Sequence, residues 1–260
     1  MDQLKIDIIG RGKVASHLFT AFSEKADTAV VNPHTLEGLR IDADFILISV
    51  TDSAIGEIIE NLPAVKGIVA HTSGSTSIDL FKKKDSIRNY GVCYPLQTFT
   101  KGKRLDDSAI PFYFEGSDAE VERRLMKLAS MISDNARQAD SLKRRKLHVA
   151  AVFACNFTNH LWALSDKFLS DAGLDFKDLL PLIQETFEKV KYIPPREAQT
   201  GPAVRDDQAT IKSHIDELDN LPDYKAIYLL LSDSIANMNR PENPSDDSHF
   251  KCQIPDLNKN

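Results

Sequence analysis

The stretch LKIDIIGRGKVASHLF, residues 4–19, decides the fold. A short apolar run ends at Gly10, the chain passes through Gly12, and apolar residues then recur at helical spacing. A strand, a glycine turn and a helix in this order are typical of the opening of a dinucleotide-binding unit. With Ala15 in the third position, the pattern is G-x-G-x-x-A.

The two glycines have different physical roles in such a turn. Gly10 lets the chain leave the strand sharply, and Gly12 lets the backbone approach a pyrophosphate without a Cβ in the way. The helix that follows presents free N–H groups and the positive end of its dipole. We therefore expect the pyrophosphate to lie against Gly10, Arg11, Gly12, Lys13 and Val14. The alternative is an ordinary turn between a strand and a helix, because two glycines in a loop are common.

The composition is that of a globular protein. The chain has 260 residues, of which 42% are hydrophobic and 27% charged, enough for one large domain or two modest ones. A net charge of −6 gives no reason to expect a nucleic-acid partner, and no apolar run is long enough to span a bilayer. The strand near the N-terminus leaves no room for a signal peptide, and the three cysteines lack metal-binding spacing. We expect a cytoplasmic protein without a bound metal.

The pattern of elements changes near residue 140. Before it, about seven strand-length apolar runs alternate with helical patterns, which predicts an α/β domain with a doubly wound parallel sheet over residues 1–140. The connection between the second and third strands is too short for a full helix. After it, the patterns are helical, which predicts a helical substrate and dimerisation domain over residues 141–240. Residues 241–260 lack periodicity and are predicted to form a surface or mobile tail.

The residue after the second strand bears on which cofactor binds. Many NAD-binding units place an acid there for the ribose hydroxyls, whereas this chain has Asn32. A missing carboxylate removes a repulsion against a 2′-phosphate, so the sequence favours NADP, with NAD not excluded. Positive charge nearby is expected from Arg11, Lys13, His34 and Arg40, and the alternative is that Arg11 and Lys13 are simply solvated. The end of the third strand, Val50, Thr51 and Asp52, is predicted to flank the nicotinamide-side ribose.

A cluster of small hydroxyl residues follows the fourth strand. The segment His71 to Ser75 reads HTSGS, and ligands of open α/β sheets bind at this edge of the sheet. We therefore take Ser73 as a candidate substrate-binding residue. The alternative is a capped loop before the next helix.

The first long helix of the second half carries a polar stripe. Steps of about 100° place His148, Asn156 and Asn159 on one face. The helix is otherwise apolar nearly all round, which predicts that it is buried. Buried His and Asn side chains need partners, so the stripe is either a structural network or the lining of a polar cavity. The basic run Lys143 to Lys146 at the start of this helix is read as a solvated face, with a cofactor phosphate as the alternative.

A loop between two later helices holds a candidate anion-binding residue. The segment reads TGPAVRDD over Thr200 to Asp207, and its turn fixes Arg205. Arginine is suited to bidentate capture of a carboxylate or phosphate, which suggests a substrate-binding role. A loop staple between Arg205 and a neighbouring aspartate is the equal alternative.

Taken together, these segments give the chain a family resemblance. It resembles the Rossmann-like oxidoreductases that carry an appended domain of unknown function and are often named NADP oxidoreductases of the deazaflavin-dependent type. More distantly it is similar to pyrroline-5-carboxylate reductase and the β-hydroxyacid dehydrogenases. The segments that carry the resemblance are IIGRGKVASHL (8–18), ADFILISVTDSAI (43–55), HTSGS (71–75), YPLQTF (94–99), HVAAVFACNFTNHL (148–161) and TGPAVRDD (200–207).

The resemblance implies an NADP-binding domain and a C-terminal helical domain like that of 6-phosphogluconate dehydrogenase. It also implies a homodimer that pairs through the helical domains. Two departures concern the chemistry. Related sequences often have His-Pro where this chain has Tyr94-Pro95, and the lysine–asparagine pair of the β-hydroxyacid dehydrogenases is absent. Nothing in the sequence supports a deazaflavin specifically.

The sequence therefore predicts an NADP-dependent oxidoreductase that moves a hydride to or from a small anionic substrate bound between two domains. We expect His148 to donate or accept the proton, Asn156 to orient the substrate and Arg205 to bind its anionic group. The rival hypotheses are a non-enzymatic NADP(H)-binding sensor and a structural dimer that has lost the nucleotide.

Overall fold

A computed structural model describes residues 3–239 of the chain, so the predicted tail at 241–260 lies outside the described residues. The chain divides into two compact units, the first ending at Asn159 and the second beginning at His160. The sheet ends at Gln138, just before the predicted domain boundary at residue 140. That boundary stays a prediction.

The first unit is built on one sheet, and its strands follow the predicted apolar runs. In the described residues the sheet has seven strands in the order β2-β1-β3-β4-β5-β6-β7. Their bounds are β1 Lys5–Ile9, β2 Asp27–Val31, β3 Phe45–Ile48, β4 Ile68–His71, β5 Tyr90–Pro95, β6 Phe112–Gly116 and β7 Ala136–Gln138. All neighbouring strands are parallel except β5 and β6. This α/β sheet followed by a helical region confirms the predicted fold class.

The antiparallel pair is a local departure from the predicted parallel sheet. The connection from Leu96 to Pro111 holds only a short 3-10 turn at Asp107–Ala109. A parallel return needs a crossover that carries the chain back over the sheet, and this one is without a crossover helix. The chain therefore returns as an antiparallel neighbour.

The strand order places a ligand crevice at one point of the sheet. From β1 the chain goes to β2 on one side and then to β3 on the other. At such a switch point the loops after the two central strands diverge, and they leave a crevice beyond the carboxyl ends. Here those loops begin at Gly10 and Ser49.

Three helices cover the sheet of the first unit. They are α1 Lys13–Ser23, α2 Ile55–Asn61 and α3 Ala119–Ser130. Asp118 caps α3, because its carboxylate accepts from the backbone N–H groups of Glu120 and Val121, both at 2.9 Å. A 3-10 helix, Ile78–Lys83, follows the HTSGS segment. As predicted, the chain makes only turns between β2 and β3.

That short connection is fixed by a buried ion pair. Asp7 on β1 is fully buried, and its carboxylate accepts from the backbone N–H of Arg40 at 2.6 Å and from its Nε at 2.7 Å. Arg40 also donates to Asp27 at 2.7 Å. The guanidinium is therefore committed to the sheet edge. The positive charge of Arg40 is therefore paired with Asp7 and Asp27, and its contribution near a cofactor stays a prediction.

The predicted long helix is present but interrupted. It begins as α4 Ser141–Ala151, passes through a π-helical segment at Val152–Phe157, and continues as α5 Thr158–Asp171. The expectation that it is buried is wrong for the single chain. Phe153 is 65% and Phe157 51% exposed, because no element within residues 3–239 covers the apolar faces there.

The second unit is helical in its described part. Its helices after α5 are α6 Leu180–Lys189, α7 Pro195–Ala198, α8 Gln208–Glu217 and α9 Pro222–Asn239. Among residues 160–239, Ala203 is the single buried residue. No helix within residues 3–239 combines the length and apolar character needed to cross a membrane.

Candidate active site

A cavity of about 930 Å³ lies in the first unit at the carboxyl edge of the sheet. Loops after β1, β3, β4 and β5 line one part of it, and α4 with the π-helical segment lines another. The predicted site residues among its lining are Arg11, Gly12, Lys13, Val14, Val50, Thr51, Asp52, Ser73, His148 and Asn156. The cavity thus brings together residues that are separated by up to 145 positions in the chain.

The glycine turn has one position where a side chain is excluded and one where space is open. Gly10 has φ +143°, and a Cβ there would overlap the Ser49 carbonyl group, whose carbon would lie at 2.8 Å. At Gly12 no atom lies within 4 Å of a built Cβ. Gly12 is also the N-cap of α1 and supplies no side-chain cap to the first N–H groups. The turn therefore offers backbone donors to the cavity, whereas Gly10 holds β1 against β3 and does not line it.

Asn32 uses its side chain within its own turn. Its Oδ1 accepts from the backbone N–H of His34 at 3.0 Å, and its carbonyl accepts from Leu36. The residue does not line the cavity. Its predicted contact with the adenosine ribose stays a prediction.

The HTSGS loop is held by its own hydrogen bonds. The hydroxyl of Ser73 accepts from the backbone N–H groups of Ser75 at 3.1 Å and Thr76 at 3.0 Å. The Nδ1 of His71 accepts from the Ser73 N–H at 3.2 Å, and burial lowers the pKa of this imidazole to about 3. His71 is therefore neutral and organises the loop. The hydroxyl of Ser73 is largely occupied in the same way, so its substrate-binding role stays a prediction.

One residue of the basic run has a different role from its neighbours. Lys143, Arg145 and Lys146 are exposed, which confirms the solvated face, but Arg144 is fully buried. Its Nε donates to the Ser73 carbonyl at 3.1 Å, one terminal nitrogen to Glu115 at 2.6 Å, and the other to the Thr76 carbonyl. Arg144 therefore fastens α4 to the loop after β4. A run of charged residues does not show which member is buried, because that depends on the position of each residue around the helix.

His148 meets a residue that the sequence left without a role. The hydroxyl of Tyr94 lies 3.1 Å from Nδ1 of His148, with the two rings edge to face. Tyr94 belongs to the buried run on β5, and burial, followed by the charge of Asp52, raises the pKa of its phenol. Both rings press on Gly74, where a Cβ would lie 2.6 Å from the Tyr94 ring and 2.7 Å from His148 Nδ1. A tyrosine near the carboxyl end of a buried strand was the available signal.

The π-helical segment explains which polar residues of the stripe share the cavity. Along a regular α-helix, eight steps leave His148 and Asn156 about 80° apart. A π-helical turn takes more residues, so each residue inside Val152–Phe157 turns by less and the two side chains come closer in direction. Both line the cavity, whereas Asn159 does not. The sequence prediction assumed an uninterrupted helix, which places Asn159 on the same face as His148. The substrate-binding role of Asn159 stays a prediction.

Arg205 belongs to the second unit and is exposed. In the same loop, Asp207 caps α8 by accepting from the N–H of Thr210 at 3.1 Å. That bond is the first cause, and the Thr210 hydroxyl the second, of a lowered pKa at Asp207. Asp207 therefore caps the start of α8, and the substrate-binding role of Arg205 stays a prediction.

Comparison with known proteins identifies relatives. Residues 110–235 match a domain of unknown function, DUF2520. A solved structure named as a candidate NADP oxidoreductase of Bacteroides fragilis is 34% identical with TM-score 0.81, over 90% of this chain and 98% of that one. A Thermotoga maritima protein is 22% identical with TM-score 0.67, over 90% and 98% of the two chains. No curated protein matches significantly.

A more distant structure supports the fold alone. The reductive aminase of Aspergillus terreus, solved with NADPH and ethyl-5-oxohexanoate, is 11% identical with TM-score 0.66, over 91% of this chain and 98% of that one. The likeness to pyrroline-5-carboxylate reductase, to 6-phosphogluconate dehydrogenase and to deazaflavin enzymes stays a prediction. The identity to the Bacteroides protein over almost its full length is sufficient for a firm assignment: the chain belongs to the family of that NADP-oxidoreductase-like protein, with a DUF2520 domain in its C-terminal part.

Proposed function

We propose that the protein is an NADP-dependent oxidoreductase acting on a small substrate in the cavity of its first unit. The observation that carries the proposal is the joint lining of that cavity by the open Gly12 turn and by His148 and Asn156. A phosphate-binding turn and a proton-exchanging group facing one space are what hydride transfer requires of the protein. The Bacteroides fragilis relative, which is named as a candidate NADP oxidoreductase, supports the same cofactor.

The residues present fit a dinucleotide phosphate. The space above Gly12 lets an anion approach the backbone, and the uncapped start of α1 supplies donors together with the positive end of the helix dipole. Arg11 and Lys13 are exposed, line the cavity and add positive charge. Since Arg40 is committed to Asp7, these two side chains are the cations that favour NADP over NAD.

The chain's own residues would supply binding and proton exchange. When bound, the cofactor supplies or accepts the hydride. His148, half-buried on the cavity wall, exchanges a proton with the substrate heteroatom, since an imidazole does so near neutral pH. Asn156 offers an amide donor and acceptor that orient the substrate. The buried Arg144 keeps the Ser73 loop, and with it one wall of the cavity, in place.

The test is NADPH oxidation with a panel of imines and oxo-acids. We expect turnover with at least one member, and a fall in kcat of roughly 10²- to 10⁴-fold in His148→Ala, since general acid–base catalysis contributes about that much. NADPH affinity, measured by calorimetry, should stay the same in this variant because His148 exchanges only the proton. Unchanged turnover in His148→Ala would remove it from the mechanism. Binding of NADPH without turnover on any member would favour the sensor hypothesis.

We further propose that the second unit is completed by a second copy of the chain. In its described residues the unit buries one side chain, that of Ala203, while large apolar side chains such as Leu182 and Phe187 are 64% and 60% exposed. A unit of this size is stable only if it buries a substantial apolar core. The described residues of the unit leave this apolar surface exposed to solvent. The partner that covers it must be present whenever the chain folds, and a second copy of the same chain meets that condition.

Light scattering coupled to size-exclusion chromatography tests this. We expect twice the chain mass for the wild type, and dissociation or unfolding for Leu182→Lys because a charge would replace an apolar contact. Ile41→Lys is the matched control, since Ile41 is 58% exposed but belongs to the first unit. It should remain dimeric. A monomeric wild type with an intact thermal transition would contradict the proposal.

A further inference from the structure

We infer that Tyr94 is a positioning residue that assigns proton exchange to one nitrogen of His148, Nε2, and so selects substrates with an acceptor atom. The inference rests on the proposed function, since it takes His148 as the proton-exchanging group. It begins from the 3.1 Å contact between the Tyr94 hydroxyl and His148 Nδ1.

The proton balance decides the direction of this hydrogen bond. Burial raises the pKa of Tyr94, so the phenol keeps its own proton. An imidazole that protonates a substrate starts with hydrogen on both nitrogens and keeps one afterwards. When Nε2 gives its proton to the substrate, the remaining hydrogen is on Nδ1, which donates to the hydroxyl oxygen of Tyr94.

The other ring nitrogen is left for the cavity. Within residues 3–239, Nε2 of His148 makes no hydrogen bond, while the ring lines the cavity. A substrate at this wall therefore meets an N–H donor while the imidazole is protonated. The matching substrate atom is an acceptor, such as a carbonyl oxygen or an imine nitrogen, rather than a protonated amine.

The Tyr94–His148 pair is also held by its packing against Gly74. Gly74 lies so close that a Cβ would approach the Tyr94 ring to 2.6 Å and Nδ1 to 2.7 Å. Arg144 anchors the loop that carries Gly74 through the Ser73 carbonyl. The glycine, the tyrosine on β5 and the histidine on α4 therefore form one packed contact, which limits rotation of the imidazole.

The experiment replaces the hydroxyl alone, in Tyr94→Phe. Two readouts are combined: steady-state kinetics with NADPH and the ¹⁵N resonances of His148. We expect kcat to fall about 10- to 100-fold with KM little changed, as for a misplaced catalytic group. We also expect the Nδ1 resonance to shift towards that of an unbonded imine nitrogen. Gly74→Ala, which separates the pair from the other side, should shift the same resonance.

Tyr113→Phe is the matched control. Tyr113 pairs with Tyr94 across β5 and β6 and is equally buried, at 9% exposure, but it does not line the cavity. It should leave kcat and the His148 resonances unchanged. An unmoved Nδ1 resonance in Tyr94→Phe overturns the inference, and so does an equal change of kcat and KM. If the wild type does not oxidise NADPH, the proposed function fails, and the Nδ1 resonance alone decides whether Tyr94 orients the ring.

Discussion

Replacing Gly10 with alanine is expected to destabilise the protein by about 2–6 kcal/mol. Two costs add up. Alanine at φ +143° is strained by about 1–3 kcal/mol, and forcing its Cβ against the Ser49 carbonyl costs about another 1–3 kcal/mol. Because the free energy of unfolding of such a domain is only about 5–15 kcal/mol, the substitution would remove a large part of it. Urea unfolding followed by circular dichroism measures the change.

Gly12→Ala is the matched control, and it separates folding from binding. Open space surrounds a Cβ at this position, so the free energy of unfolding should change by less than about 1 kcal/mol. NADPH affinity should nevertheless fall by about 10- to 100-fold, as expected when hydrogen bonds to a charged phosphate are lost. If Gly12→Ala binds NADPH as tightly as the wild type, the turn is not the phosphate site. If Gly10→Ala is fully stable, β1 and β3 are not packed as described.

Replacing Arg144 with methionine is expected to cost about 3–5 kcal/mol, the usual penalty for removing one partner of a buried ion pair. Methionine fills similar space but leaves Glu115 without its guanidinium and the Ser73 and Thr76 carbonyls without their donor. The loop after β4 should loosen with the loss of stability. Faster hydrogen exchange at Ser75 and Thr76 N–H would report that loosening.

Lys143→Met is the control for this change. The residue lies one position earlier, and its side chain is 72% exposed. Its unfolding free energy should stay within about 0.5 kcal/mol of the wild type, as for most surface substitutions. Arg144→Met with wild-type stability would mean that the buried pair does not hold α4 to the sheet.

The sheet was predictable because its signals are local. Each strand is a short apolar run bounded by turn residues, and G-x-G-x-x-A fixes the first turn together with the helix that follows. The antiparallel β6 was not predicted, because its direction depends on whether the preceding connection contains a helix. The loop at 96–111 shows no pattern that decides this.

The candidate site was predictable in part of its members but not in their contacts. Asp52 was located from the end of a strand and His148 from the polar stripe of a helix, because both signals follow from the periodicity of the sequence. Arg144 and Tyr94 were missed because their roles arise from residues 71 and 54 positions away. The stripe itself failed beyond Asn156, where a π-helical turn replaces the assumed α-helical one.

That π-helical turn has a consequence for comparing related sequences. It contains more residues per turn than an α-helix. Its effect is the same as that of inserting one residue into a regular helix. A relative whose helix is regular there would reach the position of Asn156 with one residue fewer after its counterpart of His148. Alignments that forbid gaps inside helices would then match the wrong asparagine, and the spacing between these two residues should be treated as variable.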